Sequence, residues 1–133
     1  MRFFFDSCIS ENLAKAFTIL ENKNKIQHLH WLFPRDTPDT EWIAHLAREG
    51  DWVIVSGDMR ITRNPEERHA WRESGLTAFF FSGKGITEFR HWKQVEVLAK
   101  WWPLITEEAR DYRIGKQGSG YLMQAKSTKL SLL

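Results

Sequence analysis

The sequence has little of what disulfide-bonded, zinc-finger and membrane proteins contain. Its 133 residues include one cysteine, Cys8, which allows neither an internal disulfide nor a cysteine-rich zinc site. So few thiols suit the reducing cytoplasm, where we expect the protein to act. No apolar run approaches the ~20 residues of a membrane-spanning helix, and the apolar start before Asp6 is too short for a secretory signal. We therefore expect neither a membrane span nor export.

The sequence also lacks the motifs of several common enzyme classes. It contains no P-loop, no GxGxxG fingerprint, no HExxH zinc motif and no Ser-His-Asp pattern. Its net charge of +2 neither shows nor excludes a nucleic-acid partner, because what matters is where the charges lie. The length and the 42% hydrophobic content are typical of one folded domain. We predict a single domain over residues 1–133, with a core at 1–110 and a strand or tail at 111–133.

The apolar segments predict an α/β fold. Short apolar runs without polar alternation are typical of strands that are buried on both faces. Such runs lie at residues 3–5, 26–29, 52–55 and 77–81. Segments with helical spacing or helix-start signals separate or follow them, at residues 10–20, 37–48, 65–73 and 89–105. This alternation indicates a three-layer α/β/α architecture around a mostly parallel sheet of four to five strands.

Single residues predict where three of the helices begin or end. Ser10 and Thr37 are expected to cap the first and second long helices, and Pro103 is expected to kink or end the last one. The last helix has an apolar stripe that includes Trp92 and Trp102, which we therefore predict to be core residues. Trp101 lies off that stripe, so it is either a core residue, the preferred interpretation, or part of a dimer or partner interface.

Three aspartates are placed to meet at one edge of the predicted sheet. Asp6 ends the first strand, Asp58 follows the third, and Asp39 lies in the first turn of the helix that leads into the third. If the first and third strands are neighbours, all three carboxylates lie beyond the carboxyl ends of the strands. Converging carboxylates repel unless a cation such as Mg²⁺ joins them. The alternative is that each is an ordinary turn former or helix cap.

Four segments resemble the PIN-like domain family related to VapC toxins. They are Phe3–Asp6, Phe33–Ile43, Val53–Ile61 and Asn64–Arg68. The similarity extends from about residue 2 to about residue 105. It implies a PIN-like fold, a Mg²⁺ or Mn²⁺ site, RNA cleavage, and often a toxin role beside a cognate antitoxin. On this resemblance Asp6, Asp39 and Asp58 match the metal-binding acids.

The resemblance leaves the identity of a fourth acid open. Glu41 is close enough to Asp39 to be its rival or its companion, and we include it among the catalytic candidates. Glu67 and Asp36 are the other candidates for the fourth position.

Basic residues and histidines near these acids are secondary candidates. Arg60, Arg63 and Arg35 are predicted to contact RNA phosphates, although surface ion pairing explains them as well. His28 and His30 alternate as metal ligands would, but we prefer to interpret them as surface or loop residues because no third ligand stands at a fitting spacing.

The leading hypothesis is therefore a metal-dependent endoribonuclease toxin with an RNA substrate, an antitoxin partner and possible homodimers. One alternative is an inactive PIN-like module that binds RNA or protein. Another is a receiver-like or phosphatase-like aspartate site, which would need Lys84 after the fourth strand.

Overall fold

The computed structural model describes residues 1–82, 91–112, 119–124 and 129–133, so Lys84 lies outside the described residues. Within these ranges the strands are β1 Arg2–Phe5, β2 Lys25–His28, β3 Trp52–Ser56, β4 Ala78–Ser82, β5 Gly120–Gln124 and β6 Ser131–Leu132. The helices are α1 Glu11–Leu20, α2 Leu29–Leu32, α3 Asp39–Glu49, α4 Arg60–Arg63, α5 Pro65–Ser74 and α6 His91–Tyr112. None of these helices is both long enough and apolar enough to cross a lipid bilayer.

The strands form one sheet in the order β2-β1-β3-β4-β5-β6. All neighbouring strands are parallel except β5 and β6, which are antiparallel. The prediction of an α/β fold with a mostly parallel sheet is confirmed, with six strands in the described residues. The C-terminal segment contributes β5 and β6 to this sheet. The assignment of residues 1–133 to a single domain stays a prediction.

Both faces of the sheet are buried, which explains the unbroken apolar runs. Side chains of a strand alternate between faces, so Phe3 and Phe5 pack in one cluster while Phe4 packs in the other. The first cluster includes residues of α1 and α6, and the second includes residues of α3 and α5. A strand covered on both faces has no solvent side on which polar residues would alternate.

The predicted cap of α1 and the predicted start of α5 are confirmed, whereas the predicted cap of α3 is not. Ser10 caps α1, since its hydroxyl accepts a hydrogen bond from the Leu13 amide at 3.4 Å. Asn64 caps α5, just before Pro65 at the first helical position. The assignment of Thr37 as the cap of α3 was wrong, because its hydroxyl donates to the Pro34 carbonyl at 2.7 Å.

The interpretation of Trp101 as a core residue is confirmed, but the predicted core position of Trp92 and the predicted end of α6 were wrong. The helix continues through Pro103 to Tyr112. Trp92 is 82% exposed, whereas Trp101 is fully buried. The buried face follows the positions of Gln94 and Trp101 instead of Trp92, which lies about 200° around the helix from Gln94 at roughly 100° per residue. Gln94 is buried because its amide hydrogen bonds to the Cys8 carbonyl and the Ser10 amide, so a polar residue occupies the inner face there.

Truncation of the two tryptophans is therefore expected to have unequal effects. Trp101→Ala should lower the free energy of unfolding by about 3–5 kcal/mol, because it empties a large buried volume. Trp92→Ala, on the outer face of the same helix, should change it by less than about 0.5 kcal/mol. Urea unfolding followed by circular dichroism measures both. Equal losses, or a greater loss for Trp92→Ala, would contradict this burial pattern.

Candidate functional site

Asp6 lies at the carboxyl edge of the sheet, between β1 and the residues that follow β3. The two strands are parallel neighbours, with Phe5 opposite Val55. Asp6 is only 3% exposed. Its Oδ1 accepts hydrogen bonds from the backbone amides of Cys8 at 3.1 Å and Gly57 at 3.3 Å, and its Oδ2 accepts one from the Ser56 hydroxyl. The carboxyl group is thus held in one orientation by both strands.

Burial has a strong effect on the charge of Asp6. It raises the pKa of Asp6 to about 7, outweighing the hydrogen bonds from Ser56, Gly57 and Cys8, which lower it. The negative charge of Asp58 raises the pKa further. Without a cation beside it, Asp6 therefore carries a proton for much of the time near neutral pH.

Asp58 is the second buried acid at this edge, and Ser56 links it to Asp6. The backbone amide of Asp58 donates to the Ser56 hydroxyl at 2.9 Å, and that same hydroxyl donates to Asp6. The Arg60 guanidinium binds both carboxylate oxygens of Asp58, at 2.9 Å from Nε to Oδ1 and 2.8 Å from Nη2 to Oδ2. Burial opposes ionisation of Asp58, but the bonds from Arg60 prevail and lower its pKa. Asp58 is therefore a carboxylate already paired with a cation.

Two further acids, Asp39 and Glu67, come from the helices α3 and α5, which pack against each other. The Asp39 Oδ1 accepts a hydrogen bond from the Trp42 indole at 2.8 Å, and Trp42 is fully buried. Asp39 lies within hydrogen-bonding reach of both Asp58 and Glu67. Burial raises the pKa of Glu67, and the charges of Asp39 and Asp58 add to this effect. Its Oε2 is buried without a hydrogen-bond partner in the described structure.

Pairwise interactions thus connect Asp6 to Asp58, Asp58 to Asp39, and Asp39 to Glu67. We call these four residues the acidic cluster. The sequence offered Glu67 only as one of several candidates for a fourth acid. Glu41, which we predicted to be catalytic, is exposed, as is Asp36. Neither has a recorded hydrogen bond or ion pair with the acidic cluster in the described part of the chain.

The three predicted RNA-binding arginines lie in different surroundings. Arg60 contacts the acidic cluster through Asp58. Arg63, at the end of α4, is exposed to solvent. Arg35 is also exposed, and its guanidinium lies 3.9 Å from the Glu11 carboxylate, outside the acidic cluster.

His28 and His30 form a second group of polar residues, together with Glu11. The interpretation of His28 as a surface residue was wrong, because it is fully buried. Its Nε2 lies 2.7 Å from the Ile9 carbonyl, and its Nδ1 accepts a hydrogen bond from the His30 amide at 3.1 Å. Ligand atoms of Glu11, His28 and His30 lie within 4.8 Å of one another, close enough for a metal. However, both ring nitrogens of His28 already hold the backbone in place, so this group is better suited to a structural role.

Comparison with known proteins gives the family. A family model described as a PIN like domain matches residues 1–83, which is more than half of the chain. The chain belongs to the PIN-like domain family. Searches of curated proteins and of solved structures found no match. The matched range contains every member of the acidic cluster, and PIN-like domains are commonly nucleases that use divalent metals.

The acidic cluster offers the ligand type of a divalent-metal site but not the close spacing, because among the described residues only Glu11, His28 and His30 bring three ligand atoms within 4.8 Å of one another. Its four donors are carboxyl groups, the oxygen ligands that Mg²⁺ and Mn²⁺ prefer. Burial and mutual repulsion raise the pKa values of Asp6 and Glu67, and a bound cation would reverse that effect. The unpartnered oxygen of Glu67 is a further polar atom whose burial a ligand would compensate.

Stability of the metal-free protein should depend on pH through Asp6. The pKa of Asp6 is about 7 in the folded chain against 3.8 as its ordinary value, so the folded state holds the proton more tightly. This contribution to stability is complete below about pH 4 and is lost as the pH rises through about 7. Asp6→Asn removes it, so the variant should gain up to roughly 4 kcal/mol relative to wild type across that range.

Urea unfolding in EDTA, repeated from about pH 5 to about pH 8, measures this difference. Asp36→Asn, which changes an exposed aspartate, serves as the matched control and should follow the wild type at every pH. If the free energies of unfolding of wild type and Asp6→Asn change in parallel with pH, burial does not raise the pKa of Asp6.

Proposed function

We propose that this PIN-like domain is a metal-dependent endoribonuclease that uses Mg²⁺ or Mn²⁺. The observation that carries the proposal is the acidic cluster, in which four carboxyl groups from four separate segments lie at one edge of the sheet. Two of them, Asp6 and Asp58, are buried and the other two are half-buried, and like charges held in such surroundings destabilise a protein unless a ligand compensates for them. Membership of a family whose members are commonly nucleases supports the same conclusion.

The residues of the cluster would share the work of binding and proton transfer. Asp6, Asp39 and Asp58 would hold the cation, and the Ser56 hydroxyl would keep Asp6 and Asp58 in register. When bound, a divalent cation supplies an acidified water and neutralises charge on the attacked phosphate. The pKa of Glu67 is raised toward neutral pH, so Glu67 is suited to take up a proton at its unpartnered Oε2.

A cavity next to the start of α1 is a candidate path for the RNA backbone. It has a volume of about 320 Å³ and its lining includes Ser7, Lys15 and His30. Ser7 directly follows Asp6 in the sequence, which is the link between this cavity and the proposed metal site. Arg35 lies near its rim through Glu11, which also lines it. We propose that these groups bind phosphates next to the cleaved one, while Arg60 and Arg63 bind the backbone on the α4 side.

Cleavage of a mixed RNA pool tests the proposal. With Mg²⁺ or Mn²⁺, wild-type protein should cut RNA, and EDTA should stop it. Asp6→Asn and Asp58→Asn should each reduce cutting below detection, because each removes an oxygen ligand of the cation. Circular dichroism verifies that the variants fold. A folded wild type that cuts no RNA with either metal would contradict the nuclease proposal.

The identity of the fourth acid is tested in the same assay with two glutamates. Glu67→Gln should slow cleavage by roughly ten- to a hundredfold, the usual cost of disturbing a group that supports a metal site. Glu41→Gln makes the same chemical change on the exposed surface and should alter the rate by less than about threefold. The reverse order would restore Glu41 as the fourth acid.

Four expectations stay predictions, because they rest on the sequence and its resemblance to the PIN-like family. They are the toxin role, the relation to VapC toxins, the antitoxin partner and a cytoplasmic location. Expression in a bacterium tests the toxin role: wild type should arrest growth and Asp58→Asn should not. Homodimer formation is likewise untested, although exposed Trp92 is the kind of residue that interfaces contain.

A second candidate function is an inactive PIN-like module that binds RNA or protein. The observation that favours it is the pairing of Asp58 with Arg60, which neutralises this carboxylate without any metal. Failure of the folded wild type both to cut RNA and to bind Mg²⁺ or Mn²⁺ would select this alternative.

A further inference from the structure

Arg60 occupies the carboxylate oxygens that a cation would need. Its Nε and Nη2 bind the two oxygens of Asp58, and its backbone amide binds Oδ1 at 2.9 Å. A carboxylate held bidentately by a guanidinium has its strongest acceptor directions filled. A metal ion cannot take both oxygens while the guanidinium remains in place.

The Arg60 side chain is free to leave, although Asp58 is not. The side chain of Arg60 is 78% exposed and that of Asp58 is 9% exposed. In the described structure, every recorded side-chain hydrogen bond of Arg60 goes to Asp58. Arginine does not lose its proton in proteins, so it can leave only by rotating away. Water can hydrate the exposed guanidinium as it turns away, so a divalent cation with several carboxylate ligands can displace it from this pair.

We propose that Arg60 is a built-in competitor of the divalent cation at Asp58, and that metal binding releases its side chain into solvent. This inference rests on the metal site of the proposed function but not on nuclease activity. It reconciles the two interpretations of Arg60, since the guanidinium pairs with Asp58 before metal binds and is available to a phosphate afterwards.

Calorimetric titration of the metal-free protein with Mn²⁺, and separately with Mg²⁺, tests the competition. Arg60→Gln should bind the cation roughly five- to tenfold more tightly than wild type, because no guanidinium has to be displaced. Arg63→Gln removes the same charge from the same short helix without touching Asp58, and its affinity should stay within about twofold of wild type. Asp58→Asn should bind more weakly than all three.

An affinity of Arg60→Gln equal to or weaker than that of wild type would overturn the proposal, as would a failure of both proteins to bind either cation. Binding by Arg60→Gln alone would support it. RNA cleavage that persists beside an unchanged affinity in Arg60→Gln would overturn this inference and leave the proposed function standing.

Nuclear magnetic resonance gives a second test, in which only the wild type is titrated with metal and the variants serve as metal-free references. The Nε–H signal of Arg60 is identified by its loss in Arg60→Gln. On saturation with Mg²⁺ it should move toward the position of a solvent-exposed arginine, which it should already hold in Asp58→Asn without metal. A signal that stays unchanged when the cation is bound would show that Arg60 does not leave Asp58.

Discussion

Repulsion among buried carboxyl groups is the constraint on which the rest of this site depends. Burial opposes the ionisation of Asp6, Asp58 and Glu67, and the charges of neighbouring acids raise the pKa values of Asp6 and Glu67 further. In the metal-free protein, a proton relieves the repulsion at Asp6 for much of the time near neutral pH, the pKa of Glu67 is shifted in the same direction, and a guanidinium pairs with Asp58. A divalent cation would replace both kinds of relief at once.

The fold supplies the rigidity that such a concentration of charge requires. Asp6 and Asp58 come from adjacent parallel strands whose aromatic and branched side chains are packed on both faces. Asp39 is held by the fully buried indole of Trp42, and the packing of α3 against α5 brings Glu67 to it. Because these anchors lie in the core, the hydrogen-bonded carboxyl groups of Asp6 and Asp39 have little freedom to move away from their neighbours. Packing elsewhere in the molecule offsets the unfavourable electrostatic free energy of the site.

Local signals in the sequence predicted the α/β fold and the placement of Asp6, Asp39 and Asp58, because strand ends and helix starts can be recognised from a few residues. Glu67 could not be chosen over Glu41, since its position depends on how two helices pack. The same limit explains the errors at Trp92 and His28, where a buried hydrogen bond of Gln94 and the capping of α2 decide burial. The spacing of apolar residues shows which side of a helix is buried on average. It does not show where a hydrogen-bonded polar residue is buried in place of an apolar one.

Proton release on metal binding tests the central claim most directly, that like charges are held together here for a cation. Calorimetry with Mg²⁺ at about pH 6, in buffers with different ionisation enthalpies, counts the protons. Since the pKa of Asp6 is about 7, wild type should release about one proton or more per bound cation, and Asp6→Asn should release correspondingly fewer. Binding without proton release, or no binding at all, would contradict this account of the site.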